Sequence, residues 1–190
     1  MQLETLSTRR QRRVWRKLYK QAFPRQERKP FSLMRRRSRT RDMELLSILG
    51  DDGAFLGLAA VALHEDLALL AYFAVSACAR GKGVGSKALT LLKARYQSRR
   101  LFLEIERTGV PAQNAEQRAR RKAFYLRAGF SPCPFLVSLF GVEMEVLCFG
   151  NPVSFEEYRS VYTRFSGARA DRFVRLLPPP KNTTTPHPDS

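Results

Sequence analysis

Apolar residues along this chain fall into blocks of two periods, one near 3.6 and one near 2, in a definite order. Val14, Leu18 and Ala22 repeat at helical spacing with Trp15 beside them, Ser7 or Thr8 stands where a cap belongs, and Pro24 ends the run, so residues 7–23 read as a helix. Pro30 to Arg41 begins with a turn and forms a short second helix. Met43 to Leu49 is strand-like, Asp51-Asp52-Gly53 is a hairpin turn, and Ala54 to Leu63 is a second strand. After a turn at His64-Glu65-Asp66, Leu67 to Val75 is almost wholly apolar, the pattern of a strand buried on both faces.

Val84, Ala88, Leu91 and Leu92 then mark an amphipathic helix. Leu101 to Glu106 is the next strand and Thr108 to Ala112 a loop. Asn114 is placed to cap a helix running to Ala128, with Gly129 as its C-terminal residue. Strands near Phe135–Phe140 and Glu143–Phe149 turn at Gly141, and Ser154 caps a last helix to Phe165. The order is helices, antiparallel strands, strand–loop–helix, strand, helix and two strands. It predicts an α/β fold with a mixed, mostly antiparallel central sheet flanked by helices. Residues 1–177 are expected to form one domain, with basic N-terminal helices over 7–41, a core over 42–149 and a C-terminal helix over 154–165. The Pro- and Thr-rich stretch 178–190 is expected to be a disordered tail.

Chemistry enters at the junction after the apolar strand. Arg80-Gly81-Lys82-Gly83-Val84-Gly85-Ser86 joins that strand to the helix. Glycines let the backbone turn tightly and approach a ligand. A helix opening at Gly83 aims its free N–H groups and dipole at the loop, and Arg80 and Lys82 add positive charge, which together suit a pyrophosphate. Three phosphate loops compete. A P-loop needs a hydroxyl after its lysine, whereas Lys87 is followed by Ala88. Gly83 to Ala88 fits the dinucleotide pattern Gly-x-Gly-x-x-Gly/Ala, with Glu104 about 20 residues on. That loop should follow its strand at once within alternating strands and helices, and here the strand ends several residues earlier. The third pattern, Arg/Gln-x-x-Gly-x-Gly/Ala, is met by Arg80, Gly83 and Gly85.

This third pattern resembles motif A of the GNAT superfamily of N-acetyltransferases. The run Val75-Ser76-Ala77-Cys78-Ala79-Arg80-Gly81-Lys82-Gly83 is similar to the superfamily's strand-end sequence, with Ala77 where proline is usual. A second segment, Ala123-Phe124-Tyr125-Leu126-Arg127-Ala128-Gly129-Phe130, looks like its later helix end; the asparagine usual seven residues before the tyrosine is Arg118 here, and Asn114 is the nearest asparagine. The resemblance covers about residues 42–149. It implies a metal-free transfer of an acetyl or other short acyl group from acetyl-CoA, as co-substrate, to the primary amine of an acceptor it does not identify, a small molecule or a peptide. It further implies that backbone groups at Phe73, Ala74 and Val75 pair with the pantetheine arm and that Arg80 to Ser86 hold the pyrophosphate.

Tyr125 falls at the superfamily's general-acid position, with packing as the alternative. Glu104 and Glu106 alternate with Leu103 and Ile105 and so share a face with Phe102, where either could act as base. Their like charges would raise one pKa; the alternative is pairing with Arg107, Arg118 or Arg121. Asn114 and Arg118, one turn apart, are candidate cofactor-binding residues, Arg118 as the cation for the 3′-phosphate of CoA.

Charge changes the picture at the N-terminus. The net charge is +17, and residues 1–42 hold fifteen Lys/Arg against Glu4, Glu27 and Asp42, which leaves +12 in that segment. Such a face attracts polyanions. It carries a second reading, an RNA- or ribosome-associated binding protein on a similar scaffold, beside the plain one of a solvated helix face. No run of about 18 apolar residues occurs, so no spanning helix and no membrane partner is expected. The polar, basic start lacks a secretory signal pattern. Cys78, Cys133 and Cys148 are odd in number and lack metal spacing, so reduced thiols in a cytoplasmic protein are expected.

Overall fold

The computed structural model describes residues 1–178, so all but the first residue of the expected tail lies outside it. Strands are β1 (Gln2–Thr5), β2 (Met43–Leu49), β3 (Phe55–His64), β4 (Leu67–Val75), β5 (Arg100–Glu106), β6 (Ser131–Leu139), β7 (Val142–Phe149) and β8 (Val174–Leu176). Helices are α1 (Arg9–Ala22), α2 (Phe31–Arg39), α3 (Val84–Arg95), α4 (Ala115–Arg127) and α5 (Phe155–Ser166), with 3₁₀ turns at Arg25–Glu27, Ala77–Ala79 and Gly167–Arg172. One eight-stranded sheet runs β1-β2-β3-β4-β5-β7-β6-β8. Only the β4–β5 pair is parallel.

Alternation along the strands divides the core into two layers. Leu58, Ala60 and Ala62 of β3, with Leu67, Leu69 and Tyr72 of β4 and Phe102 of β5, face α1, α2 and α5. Ala59, Val61, Ala68, Leu70, Leu101 and Leu103 face α3 and α4. Trp15 anchors α1 to the first layer: it is fully buried, and its indole N–H donates to the Leu46 carbonyl at 3.1 Å. Truncating such a residue costs about 3–5 kcal/mol.

Two capping boxes start helices where the sequence placed caps. Thr8 pairs with Gln11 at α1, and Ser154 with Glu157 at α5. At α4 Asn114 occupies the cap position but makes no capping bond, because its amide is turned to Glu106. Gly129 has φ +85°, the left-handed end expected after α4. The buried face of α3 is Ala88, Leu89 and Leu92, so Leu89 takes the place expected of Leu91.

Edge strands β1 and β8 and the 3₁₀ turn at Gly167–Arg172 are additions to the sequence reading. The cysteine expectation is corrected: Cys133 and Cys148 form a disulfide with Cα atoms 6.4 Å apart, which ties β6 to β7. Their side chains meet because Ser131 pairs with Cys148 and a register shift follows at Pro132. Cys78 is free and exposed.

Among the described residues no helix is long and apolar enough to cross a membrane, and no group of three or more His, Cys, Asp and Glu side chains gathers as a metal site.

Candidate active site

The site begins as a gap in the sheet. The parallel β4–β5 register holds only from Leu67 to Leu69, opposite Arg100 to Phe102. Beyond it the strands diverge. The C-terminal part of β4, including Phe73, Ala74 and Val75, has no β5 partner and stays partly exposed. The departure follows from what holds each strand on its other side. Strand β4 is paired with β3 through a bulge after Ala60, and β5 is paired with β7 from Leu101 to Glu106. Gly57 lets β3 and β4 close up at that end, since a Cβ there would lie 2.5 Å from the Ala74 carbonyl oxygen.

At the open end of the gap lies the loop 80–86. Gly81 and Gly83 have φ of +73° and +72°, a conformation that side chains rarely adopt. A Cβ at either would meet nothing within 4 Å, so the backbone there faces open space. Gly83 is the N-cap of α3; no side chain caps the helix, and its first turn holds no acid. The free N–H groups of a 12-residue helix therefore point into a loop carrying Arg80 and Lys82, both exposed. Arg80 Nε donates to the Val75 carbonyl at 3.3 Å, which holds the loop against the end of β4. Gly85 serves packing instead. Its Cβ would lie 3.2 Å from Phe124 Cζ, so its bare backbone lets α3 approach α4.

On the α1–α5 side of the gap the two predicted glutamates take separate partners. Glu104 lies deep in the fold but keeps part of its surface open. Tyr162 Oη donates to Glu104 Oε1 at 2.5 Å. The Tyr158 hydroxyl is buried beside the same carboxylate, without a partner in good hydrogen-bond geometry. Burial pushes the Glu104 carboxyl above its ordinary value; the two tyrosines and the Lys29 charge pull against that rise. The rise thus comes from desolvation and not from repulsion by Glu106, which corrects the sequence reading. Glu106 accepts from Arg118 Nη2 at 2.7 Å and from Asn114 Nδ2 at 3.2 Å. The structure therefore places Asn114 and Arg118 on Glu106; of these, the Arg118 pairing was an alternative weighed from sequence.

Lys29 is a site residue with no signal in the sequence. Its Nζ stands 5.4 Å from the centre of the Tyr162 ring. Burial lowers its pKa, and the charge of Glu104 opposes the fall. The segment before it is clamped by two phenols. Tyr72 Oη donates to the Glu27 carbonyl at 2.7 Å and accepts from the Lys29 N–H at 3.1 Å, and Tyr19 Oη donates to the Lys29 carbonyl at 3.2 Å. Tyr158 and Tyr162, one turn apart on α5, fall within the helix expected over 154–165, but nothing in the sequence marked them as site residues.

Tyr125 is buried at the end of α4 between Phe124 and Phe130, with ring centroids 5.1 and 5.8 Å away. Burial pushes its pKa up to about 12, partly offset by the Arg121 charge. It is fully protonated at neutral pH, as a proton donor must be. Loop and gap offer backbone donors and positive charge to a phosphate-bearing chain and an opening between two strands, with a buried carboxylate in one layer and a protonated phenol in the other.

The family model described as acetyltransferase (GNAT) family matches residues 12–130. A protein described as a GNAT-family acetyltransferase from Bacteroides thetaiotaomicron has a similar structure, with TM-score 0.71 and 20% identity over 86% of this chain and 95% of that one. The spermidine N-acetyltransferase from Vibrio cholerae in complex with CoA and spermine matches with TM-score 0.59 and 13% identity, over 78% of this chain and 94% of that one. At these identities the likeness is one of fold. No curated protein matches the sequence.

Proposed function

The chain belongs to the acetyltransferase (GNAT) family, and on that premise we propose that it transfers an acetyl group from acetyl-CoA to a primary amine by direct attack. It is an acetyl-CoA-dependent acyltransferase. The observation that carries the finer reading is the uncapped α3 N-terminus, cradled by left-handed Gly81 and Gly83, at the mouth of the β4–β5 gap.

In this reading the backbone of residues 81–86, with Arg80 and Lys82, holds the pyrophosphate. The free edge of β4 at Phe73 to Val75 takes the pantetheine amides, and the thioester supplies the activated acyl group. Glu104, once ionised, receives the proton that the amine nitrogen must shed. Tyr125 gives its phenolic proton to the departing sulfur and regains one before the next cycle. Tyr162 and Lys29 favour the ionised form of Glu104 and so oppose the rise that burial causes. Asn114 and Arg118 hold Glu106 at the end of β5 and are assigned that role in preference to the 3′-phosphate.

The Vibrio cholerae relative is a spermidine acetyltransferase by description. A polycation is a poor fit to this chain, because Arg25, Arg28 and Lys29 line a hollow on the α1 side and the Lys29 charge acts on Glu104 itself. The expected acceptor is an amine of low or negative net charge.

The test is thermal. Acetyl-CoA at 100-fold excess over its Kd stabilises the native state by about 2.7 kcal/mol, so it should raise Tm where NAD and ATP raise it less. Thiol release from acetyl-CoA over a panel of neutral, anionic and cationic amines, spermidine included, then identifies the acceptor class. No Tm shift with millimolar acetyl-CoA on folded protein would overturn the reading.

A further inference from the structure

A second concavity lies away from the cofactor gap. It is a groove of about 770 Å³ between α1 and α2. Its walls carry Arg9, Arg12, Arg13, Arg16, Lys17 and Lys20 from α1 and Arg35 from α2, and no acidic side chain lines it. Among the described residues none of these seven cations has an ion-pair partner. A second hollow of about 280 Å³ shares Arg16, Lys20 and Phe31 with the groove and continues it past Arg25 and Arg28 to Lys29. The two hollows thus share one basic surface that reaches as far as Lys29, whose Nζ stands beside the Tyr162 ring. It lies on the α1 face of the sheet, whereas α3, which opens the phosphate loop, packs on the other face.

Concentrating like charges costs stability, and nothing in the acyl-transfer reading calls for it. The cations are arranged as a row. Along α1 they recur every three or four residues from Arg9 to Lys20, so one follows another at about the 5.4 Å helical pitch. A row of regularly spaced cations matches a chain of regularly spaced anions. Five of the seven are arginines, whose planar fork pairs well with phosphate oxygens. An aromatic ring is set among them, with the Arg16 guanidinium 5.1 Å from the centre of Phe31. Cationic walls around an aromatic face are what single-stranded nucleic acid uses, phosphates on the charges and bases on the ring.

We propose that the α1–α2 groove binds the phosphate backbone of a single-stranded nucleic acid. The site is separate from the acetyl-CoA loop and stands on its own observation, independent of acyl transfer.

The test uses the full-length protein and a fluorescein-labelled uridine dodecamer, with anisotropy read between 50 and 200 mM salt. Binding is expected at low salt and should weaken steeply, since each neutralised phosphate of a single strand contributes about 0.7 to the slope of log K against log salt. The triple variant Arg12→Ala, Arg16→Ala, Arg35→Ala should weaken binding at least about 10-fold and flatten the slope by about 2, three contacts at that value. A charge-matched control, Arg127→Ala, Arg169→Ala, Arg172→Ala, removes exposed arginines outside the groove and should change little. Acetyl-CoA should still raise Tm in the groove variant, which shows that it folds and that the two sites are distinct.

No binding at 50 mM salt would overturn the proposal, as would equal losses in both triple variants. Tighter groove-dependent binding of a decaglutamate peptide than of the dodecamer would overturn it in favour of an acidic protein partner. If acetyl-CoA shifts neither protein while the dodecamer binds through the groove, the acyl-transfer reading fails and this one stands.

Discussion

Burial and proton affinity conflict at Glu104. A base must be ionised to act, yet desolvation raises its pKa, so the acid limb of kcat/KM should lie above the ordinary carboxylate range. The protonated form is the one burial favours: this group's contribution to stability is fully present below the unfolded pKa and is lost as pH rises through the higher folded one. Tyr162→Phe removes the 2.5 Å bond to the ionised form, so it should move the limb to still higher pH. Glu104→Gln should abolish the limb and lower kcat by roughly 10²- to 10⁴-fold. A pH–rate profile unchanged by both substitutions would leave Glu104 without a catalytic role. For Tyr125, whose pKa stands near 12, the expected effect of Tyr125→Phe is a fall in kcat of roughly 10²-fold with KM for acetyl-CoA unchanged. Unaltered single-turnover rates would reduce this residue to packing against Phe124 and Phe130.

Among the elements, the strand–loop–helix unit from β4 to α3 bears most of the proposed function, and its three glycines differ in kind. Gly83 supplies a left-handed backbone at a surface with nothing above it, while Gly85 supplies clearance from Phe124. Gly83→Asp should therefore leave the fold intact at a cost of about 1–2 kcal/mol for the strained backbone, yet abolish the Tm shift with acetyl-CoA by placing a carboxylate beside the phosphates. Retention of the full shift in that variant would move the pyrophosphate elsewhere. This unit was legible in sequence because glycine spacing and apolar period fix it locally. So were the cap positions, Ser7 or Thr8 and Ser154, of which the structure uses Thr8 and Ser154. Strands β1 and β8 were not, since Gln2–Thr5 and Val174–Leu176 are too short to show a period and exist only by pairing with β2 and β6. The pairing of Cys133 with Cys148 depends on a register shift between neighbouring strands, which no spacing rule encodes. Lys29 was illegible for a similar reason: only the clamp of Tyr19 and Tyr72, from α1 and β4, brings it to Glu104.

For the whole molecule, the gap that admits a ligand arm also divides the sheet. Strands β1 to β4 form one half and β5, β7, β6 and β8 the other, and only three residue pairs join them. Helix α5 spans the division, with Tyr158 and Tyr162 packed in the layer that contains both halves and Arg164 bonded at 2.8 Å to Asp42 at the head of β2. Backbone amides of β4 that face the gap have no strand to bond, so in deuterated water they should exchange with solvent far faster than those paired with β3. Saturation with acetyl-CoA should slow them selectively, with little change at β2 or β7. Uniform protection along β4 in the free protein would mean that the two halves meet in solution. A molecule built this way carries a seam through its centre, and the ligand it binds there is also the stitch that closes it.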